Sequence, residues 1–212
     1  MAELFLKNVS KIFEDGTVGI EEISFAIDKA GVFGLFGPSG SGKSTLINVI
    51  GRIEKPTRGE ISGNALKKRR AFIFQNLNLV EDLSALENLE IVGRLCKVKD
   101  VKKKSFEILD RLGLLNKANK KPRELSGGER QRVAVGRAIL VEAGLILADE
   151  PTASLGPTEG RRVMELLLEI SKLGALVLVA THDRELSQYF LGEIYLKGGR
   201  IEGLRGEVRG VK

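Results

Sequence analysis

The sequence is poor in cysteine: Cys96 stands alone in 212 residues. A single thiol excludes an intramolecular disulfide and a metal site built from several cysteines, so a reducing compartment fits best. Long apolar runs are missing too. None approaches the roughly 18 residues that cross a bilayer, so if this protein serves a membrane, another chain supplies the spans. Charges interrupt every apolar stretch of Met1 to Phe13, which reads as neither signal peptide nor transit peptide. Aromatic residues make up 5% of the chain, and none interleaves the basic runs "KKRR" (Lys67–Arg70), "KVKDVKKK" (Lys97–Lys104) or the cluster Lys117, Lys120 and Lys121. Without aromatic faces for bases to stack on, these lysines read as solvated surface, and the net charge of +6 does not point to nucleic acid.

What the chain does have is ordinary globular material: 42% hydrophobic and 29% charged residues, enough to bury the core of one large domain. Residues 1–35 alternate apolar and polar side chains between the turn signals "EDGTVG" and "DKAG", as antiparallel strands do. Three segments depart from that alternation: "GVFGLF", "GLILA" and "ALVLVAT" are almost continuously apolar. Strands of that kind are buried on both faces, as in a parallel sheet covered by helices. A helix is legible over Thr158–Leu173, with Val163, Leu166, Leu167 and Ile170 on one stripe and Gly174 just past its end. The expected fold class is therefore α/β.

Ligands of such sheets bind where the carboxyl ends of the strands emerge. After "GVFGLF" comes Gly37-Pro38-Ser39-Gly40-Ser41-Gly42-Lys43-Ser44-Thr45, after "LILA" come Asp149 and Glu150, and after "ALVLVAT" comes His182, the only histidine. A lysine, two acids and a histidine thus converge on one rim. The first loop fits G-x-x-x-x-G-K-[ST] and leads into a helix bearing Leu46, Val49 and Ile50. Its glycines let successive N–H groups curl around an oxyanion, Lys43 reaches terminal phosphates, and the Ser44 hydroxyl suits magnesium. Asp149 is placed to hold a magnesium-bound water, and Glu150, one peptide beyond, to polarise an attacking one. In "ELSGGERQRVAVGRA", Ser126 and Glu129 form a capping box. A cap does not require Gly127 and Gly128 between them. Bare N–H groups at a helix start suit a second phosphate surface.

These motifs resemble the ATP-binding cassette (ABC) ATPases, and the resemblance covers nearly the whole chain. Gly37–Thr45 matches the Walker A loop, "LILADE" the Walker B strand, and "LSGGE" (Leu125–Glu129) the family signature. Gln75 in "FIFQNLNL" matches the Q-loop glutamine and His182 in "THD" the switch histidine. The resemblance implies a P-loop NTPase core with a mainly parallel sheet, a small antiparallel β lobe and an inserted helical lobe. It implies one domain over residues 1–212, with residues 1–75 and 141–212 as core and 76–140 as the helical lobe. ATP and magnesium are the implied cofactors, with Ser44, Gln75 and Asp149 on the metal. Lys43, Gln75, Glu150 and His182 are the implied catalytic residues, Glu150 as general base and His182 on the γ-phosphate. Phe13 stands where the family stacks an aromatic on adenine.

The resemblance further implies a head-to-tail homodimer or pseudo-dimer around two ATP molecules, each held by one subunit's Walker A loop and the other's Ser126–Glu129. Transmembrane permease subunits are the implied partners, with the chain cytoplasmic on the inner face of the membrane. The wording "FQNLNLVEDLSALENL" is similar to the lipoprotein-release and macrolide-export type. Two features depart from the family: "ASLG" ends in Gly156 where aspartate is usual, and the stretch from Gly59 to Gln75 is short, which suggests a trimmed antiparallel lobe. Two other functions compete with transport. One is a DNA-associated ABC ATPase, whose long coiled-coil insertion has no room between Gln75 and Ser126. The other is a non-transport assembly or scaffold subunit.

Overall fold

The computed structural model describes residues 3–211; Met1, Ala2 and Lys212, at the ends of the 1–212 span, lie outside the described residues. In chain order the elements are β1 (Leu4–Ile12), β2 (Val18–Ile27), β3 (Gly31–Phe36), α1 (Lys43–Ile50), β4 (Arg58–Ser62), β5 (Arg70–Ile73), α2 (Ala85–Leu95) and α3 (Val101–Arg111). They continue with α4 (Gly127–Leu140), β6 (Leu145–Asp149), α5 (Pro157–Lys172), β7 (Leu176–Thr181), β8 (Gly192–Lys197), β9 (Arg200–Gly206) and β10 (Val208–Gly210).

The three apolar runs become β3, β6 and β7, neighbours in a six-stranded sheet of order β5-β6-β7-β3-β8-β9. Every pairing from β5 to β8 is parallel, and only β8–β9 is antiparallel. Alternate side chains of each run enter different cores. Phe33, Leu35, Leu145, Leu147, Leu176 and Leu178 pack with α1 and with β1 and β2. Val32, Ile146, Ala148, Val177 and Val179 pack with α4, α5 and the helical segment. Both faces being apolar, the alternation that marks a half-exposed strand disappears from the sequence. Each fully buried large apolar side chain contributes about 1.5–3 kcal/mol, so a polar residue in these runs would be costly.

The second sheet is antiparallel, ordered β10-β2-β1-β4. The short Gly59–Gln75 stretch supplies only β4 to it, while at the other edge β10 pairs with β2 through Val208, Arg209 and Gly210. Arg209 is fastened there by a two-pronged ion pair with Asp28 at 2.6 and 3.0 Å. Helix α5 begins one residue before the expected Thr158, because Gly156 takes the N-cap position and Pro157, with its preset φ, opens the first turn. Gly174 closes it at φ 96°, its N–H donating to the Ser171 carbonyl at 3.0 Å.

Candidate functional site

The Gly37–Thr45 loop leaves the end of β3 and runs straight into α1. Gly42 is the N-cap, at φ 99°, and a Cβ there would lie 2.5 Å from the Gly19 carbonyl oxygen, so backbone shape and close packing both demand glycine. No acidic residue occupies the first turn of α1, and its N-cap makes no side-chain hydrogen bond. The helix start therefore faces the cleft with its partial positive charge uncompensated by its own side chains. Lys43, 8% exposed, is the first residue of α1. Its Nζ folds back over the loop, donating to the carbonyl oxygens of Gly37 at 2.7 Å and Pro38 at 3.1 Å. The ammonium is held at the mouth of the loop with no carboxylate partner among the described residues, poised for an anion.

Neighbouring strands bring the other groups. Asp149 is the last residue of β6. Glu150 follows in the left-handed region, φ 49°, with its N–H donating to the Ala180 carbonyl at 2.9 Å. That turn carries its side chain towards His182, just beyond β7, and Glu150 Oε1 lies 2.9 Å from His182 Nδ1. The histidine side chain is 68% exposed and the glutamate 13%, so the pair joins a sheltered carboxylate to an open imidazole. Gln75 emerges past the end of β5. Phe13, Ser39, Gly40, Ser41, Gly42, Lys43, Ser44, Thr45, Gln75, Asp149, Glu150 and His182 all line one cleft of about 670 Å³. That volume lies within the roughly 300–1,000 Å³ of small-molecule sites. Phe13 is half-buried, with Lys11 Nζ 5.2 Å from its ring centroid.

Thr17, from the turn between β1 and β2, and Val18 and Gly19, the first residues of β2, also line the cleft, and sequence reasoning missed them. "EDGTVG" signalled a turn, but nothing in it says that the turn leans over the loop at Gly37–Thr45. Ser126, Gly127, Gly128 and Glu129 are not in this cleft. They form the start of α4, where Ser126 Oγ accepts from the Glu129 N–H at 3.3 Å and Glu129 Oε2 accepts from the Ser126 N–H at 2.9 Å. Lys117 Nζ donates to Glu129 Oε1 at 2.5 Å. These contacts, Lys117 first, hold the Glu129 carboxyl below the usual carboxylate range. Glu129 is thus engaged within its own subunit. A smaller cavity of about 240 Å³ runs from Gln75 and Glu150 to Gly127.

Residues 20–153 match the ABC transporter family. The chain belongs to that family. An uncharacterised ABC transporter ATP-binding protein of Thermotoga maritima is 36% identical over 97% of this chain and 95% of its own length. The phosphonates import ATP-binding protein PhnC of Chromohalobacter salexigens is 39% identical over 93% of this chain and 85% of its own. Among solved structures, the dimeric ATP-binding cassette MJ0796 in a post-hydrolysis state with ADP and phosphate superposes with a TM-score of 0.84 at 34% identity, covering 98% of this chain and all of that one. The ABC fold expected from the motifs, a mainly parallel sheet with an antiparallel sheet and helices, is the fold found. Among the described residues no helix of this ABC protein is long and apolar enough to cross a membrane.

Proposed function

We propose that this ABC ATPase is the motor of a membrane transporter, in which two cassettes close head to tail on two ATP molecules and reopen after hydrolysis. The observation that carries the reading is the set of four parallel strand ends, β3, β5, β6 and β7, delivering Lys43, Gln75, Asp149–Glu150 and His182 to one cleft. In that cleft the Gly37–Thr45 loop and Lys43 cradle the phosphates and Phe13 supports the base. Water attacks the γ-phosphorus while Glu150 takes its proton, the bond from that phosphorus to the β,γ-bridging oxygen breaks and ADP leaves, and the His182 Nδ1 contact holds the Glu150 carboxylate in place.

Ser44, Gln75 and Asp149 offer a hydroxyl, an amide oxygen and a carboxylate, an all-oxygen set that fits magnesium. Bound there, the ion would neutralise phosphate charge. Residues 1–75 with 141–212 act as the nucleotide-binding core, and 76–140, containing α2, α3 and α4, as the lobe that meets a transmembrane permease on the inner face of the membrane. The segment before Ser126 holds α2 and α3, each of 11 residues, and no coiled-coil insertion of the kind a DNA-associated rival carries. The relative that imports phosphonates supports transport over a scaffold role.

Glu150→Gln tests the mechanism. ATP binding should persist, hydrolysis should fall by about 10²–10⁴, and the variant should collect as an ATP-bound dimer in size-exclusion chromatography. Near-normal turnover would remove Glu150 from the role of general base.

A further inference from the structure

Behind the signature loop lies a charge pair that the motifs do not account for. Arg132, one helical turn after Gly128 on the same face of α4, is 5% exposed. Its guanidinium is paired with the carboxylate of Glu159, in the first turn of α5, while its Nε has no partner among the described residues. The same carboxylate presses on the signature itself. A Cβ built on Gly128 would lie 2.6 Å from Glu159 Oε2 and 3.0 Å from Glu159 Cδ, so the Glu159 carboxylate, 41% exposed, rests against the bare backbone of residue 128 and would have to shift for any larger residue there. Next to it, the turn leading into α5 closes on Gly127, with Leu155 Cδ2 3.7 Å and the Ser154 carbonyl oxygen 3.9 Å from the corresponding point. The N-cap of α5, Gly156, contributes no side-chain hydrogen bond of its own. Glu159 is thus the acidic group that ties the start of α5 to the start of α4.

We propose that Glu159 is a positioning residue for the nucleotide of the partner subunit: it sets Ser126–Gly128 at the angle and depth at which the signature receives ATP bound by the other copy. The physical case is one of stiffness. Gly127 and Gly128 are the two residues of the signature least able to hold a shape by themselves. A buried arginine whose carboxylate partner stands on the other helix resists separation of the two, because moving them apart breaks a charge-assisted bond and leaves a desolvated charge unpaired. The link also runs to Ser154 and Leu155, which line the smaller cavity together with Glu150, so the carboxylate that polarises water and the loop that meets the partner's phosphate share one support.

This inference rests on the reading of Ser126–Gly128 as a contact to the partner's ATP, and the test separates the two. In a Glu150→Gln background, which accumulates dimer, Glu159→Gln keeps size and removes charge, and Glu159→Asp keeps charge and withdraws it by one methylene. Ser126→Arg is the control. We expect both Glu159 variants to bind fluorescent ATP as monomers within about twofold of the parent. The ATP concentration for half-dimerisation should rise about tenfold for glutamine, the lower end of what a charged hydrogen bond supports, and less for aspartate. In the otherwise native chain, KM for ATP should rise with kcat changed less. Circular dichroism confines the comparison to temperatures at which every variant is folded, so lost stability does not pass for lost positioning. If glutamine lowers the melting temperature but leaves half-dimerisation unmoved, while Ser126→Arg abolishes dimerisation, Glu159 is structural only and the inference is overturned. If Ser126→Arg itself leaves dimerisation intact, the signature reading fails, and the inference falls with it.

Discussion

Gly156 shows what a single residue decides here. Its φ and ψ are −67° and 162°, ordinary extended values open to any residue, and a Cβ there would meet nothing within 4 Å. Glycine is therefore not required by backbone or by space, and its effect is the absence of a side chain at the N-cap of α5. Gly156→Asp should supply the missing acceptor and stabilise the fold by about a few tenths of a kcal/mol, the usual difference between glycine and a good N-cap. Calorimetric melting checks that part. The carboxylate should also raise the ATPase rate or the Hill coefficient, read from steady-state turnover against ATP concentration, by tightening the loop between the two sites. A variant with an unchanged profile would show that position 156 carries no coupling. At this scale the sequence was informative about Lys43, whose loop announces itself by spacing. It also placed Glu150 beside Asp149, but not its left-handed backbone, which depends on the Ala180 carbonyl of the neighbouring strand.

Helix starts are the best-written elements of this chain. The pattern S-x-x-E appears at Ser84–Glu87 and Ser126–Glu129, and both fold as complete capping boxes. The pattern is local, each box joining residues three apart, so tertiary context is not needed to read it. By contrast β10 holds three residues, Val208–Gly210, whose pairing with β2 is decided by a return of the chain from far along the sequence. The second box makes a prediction about acid. The Lys117 ammonium and then the Ser126 N–H lower the Glu129 carboxyl, so near pH 4 the unfolded chain binds more protons at this position than the native one. Its contribution to stability is full above the ordinary glutamate value of about 4.3 and is lost as pH falls through the depressed native value. Glu129→Gln, which cannot ionise, should melt lower than the native chain at pH 7 and lose less on going from about pH 5 to pH 3. Parallel melting curves of the two proteins across that range would reject the assignment.

For the whole molecule, convergence on the strand ends was legible because parallel strands fix which end carries the ligand. The location of the signature outside its own ATP cleft followed from the family resemblance and not from the residues alone, since it depends on how α4 is carried by the helices before it. Asn88, fully buried, receives Arg137 Nε on its carbonyl at 3.1 Å, and Arg137 also reaches the Asn78 carbonyl at 2.7 Å. Those bonds join α2, α4 and the segment after Gln75 into one unit. On α2, Ile91 and Leu95 stand one turn apart, 38% and 77% exposed, a small apolar stripe on a face that neither core covers. Paired exposed apolar side chains at that spacing suit a helix of a partner. If this stripe meets the permease, Ile91→Glu with Leu95→Glu should leave the melting temperature nearly unchanged, as surface substitutions usually do within about 0.5 kcal/mol. ATPase activity of the isolated subunit should survive. Recovery of a tagged variant together with the transmembrane protein co-expressed from the same operon should drop, measured in a detergent extract against the native chain. Equal recovery of that partner by both proteins would move the docking surface elsewhere on the lobe.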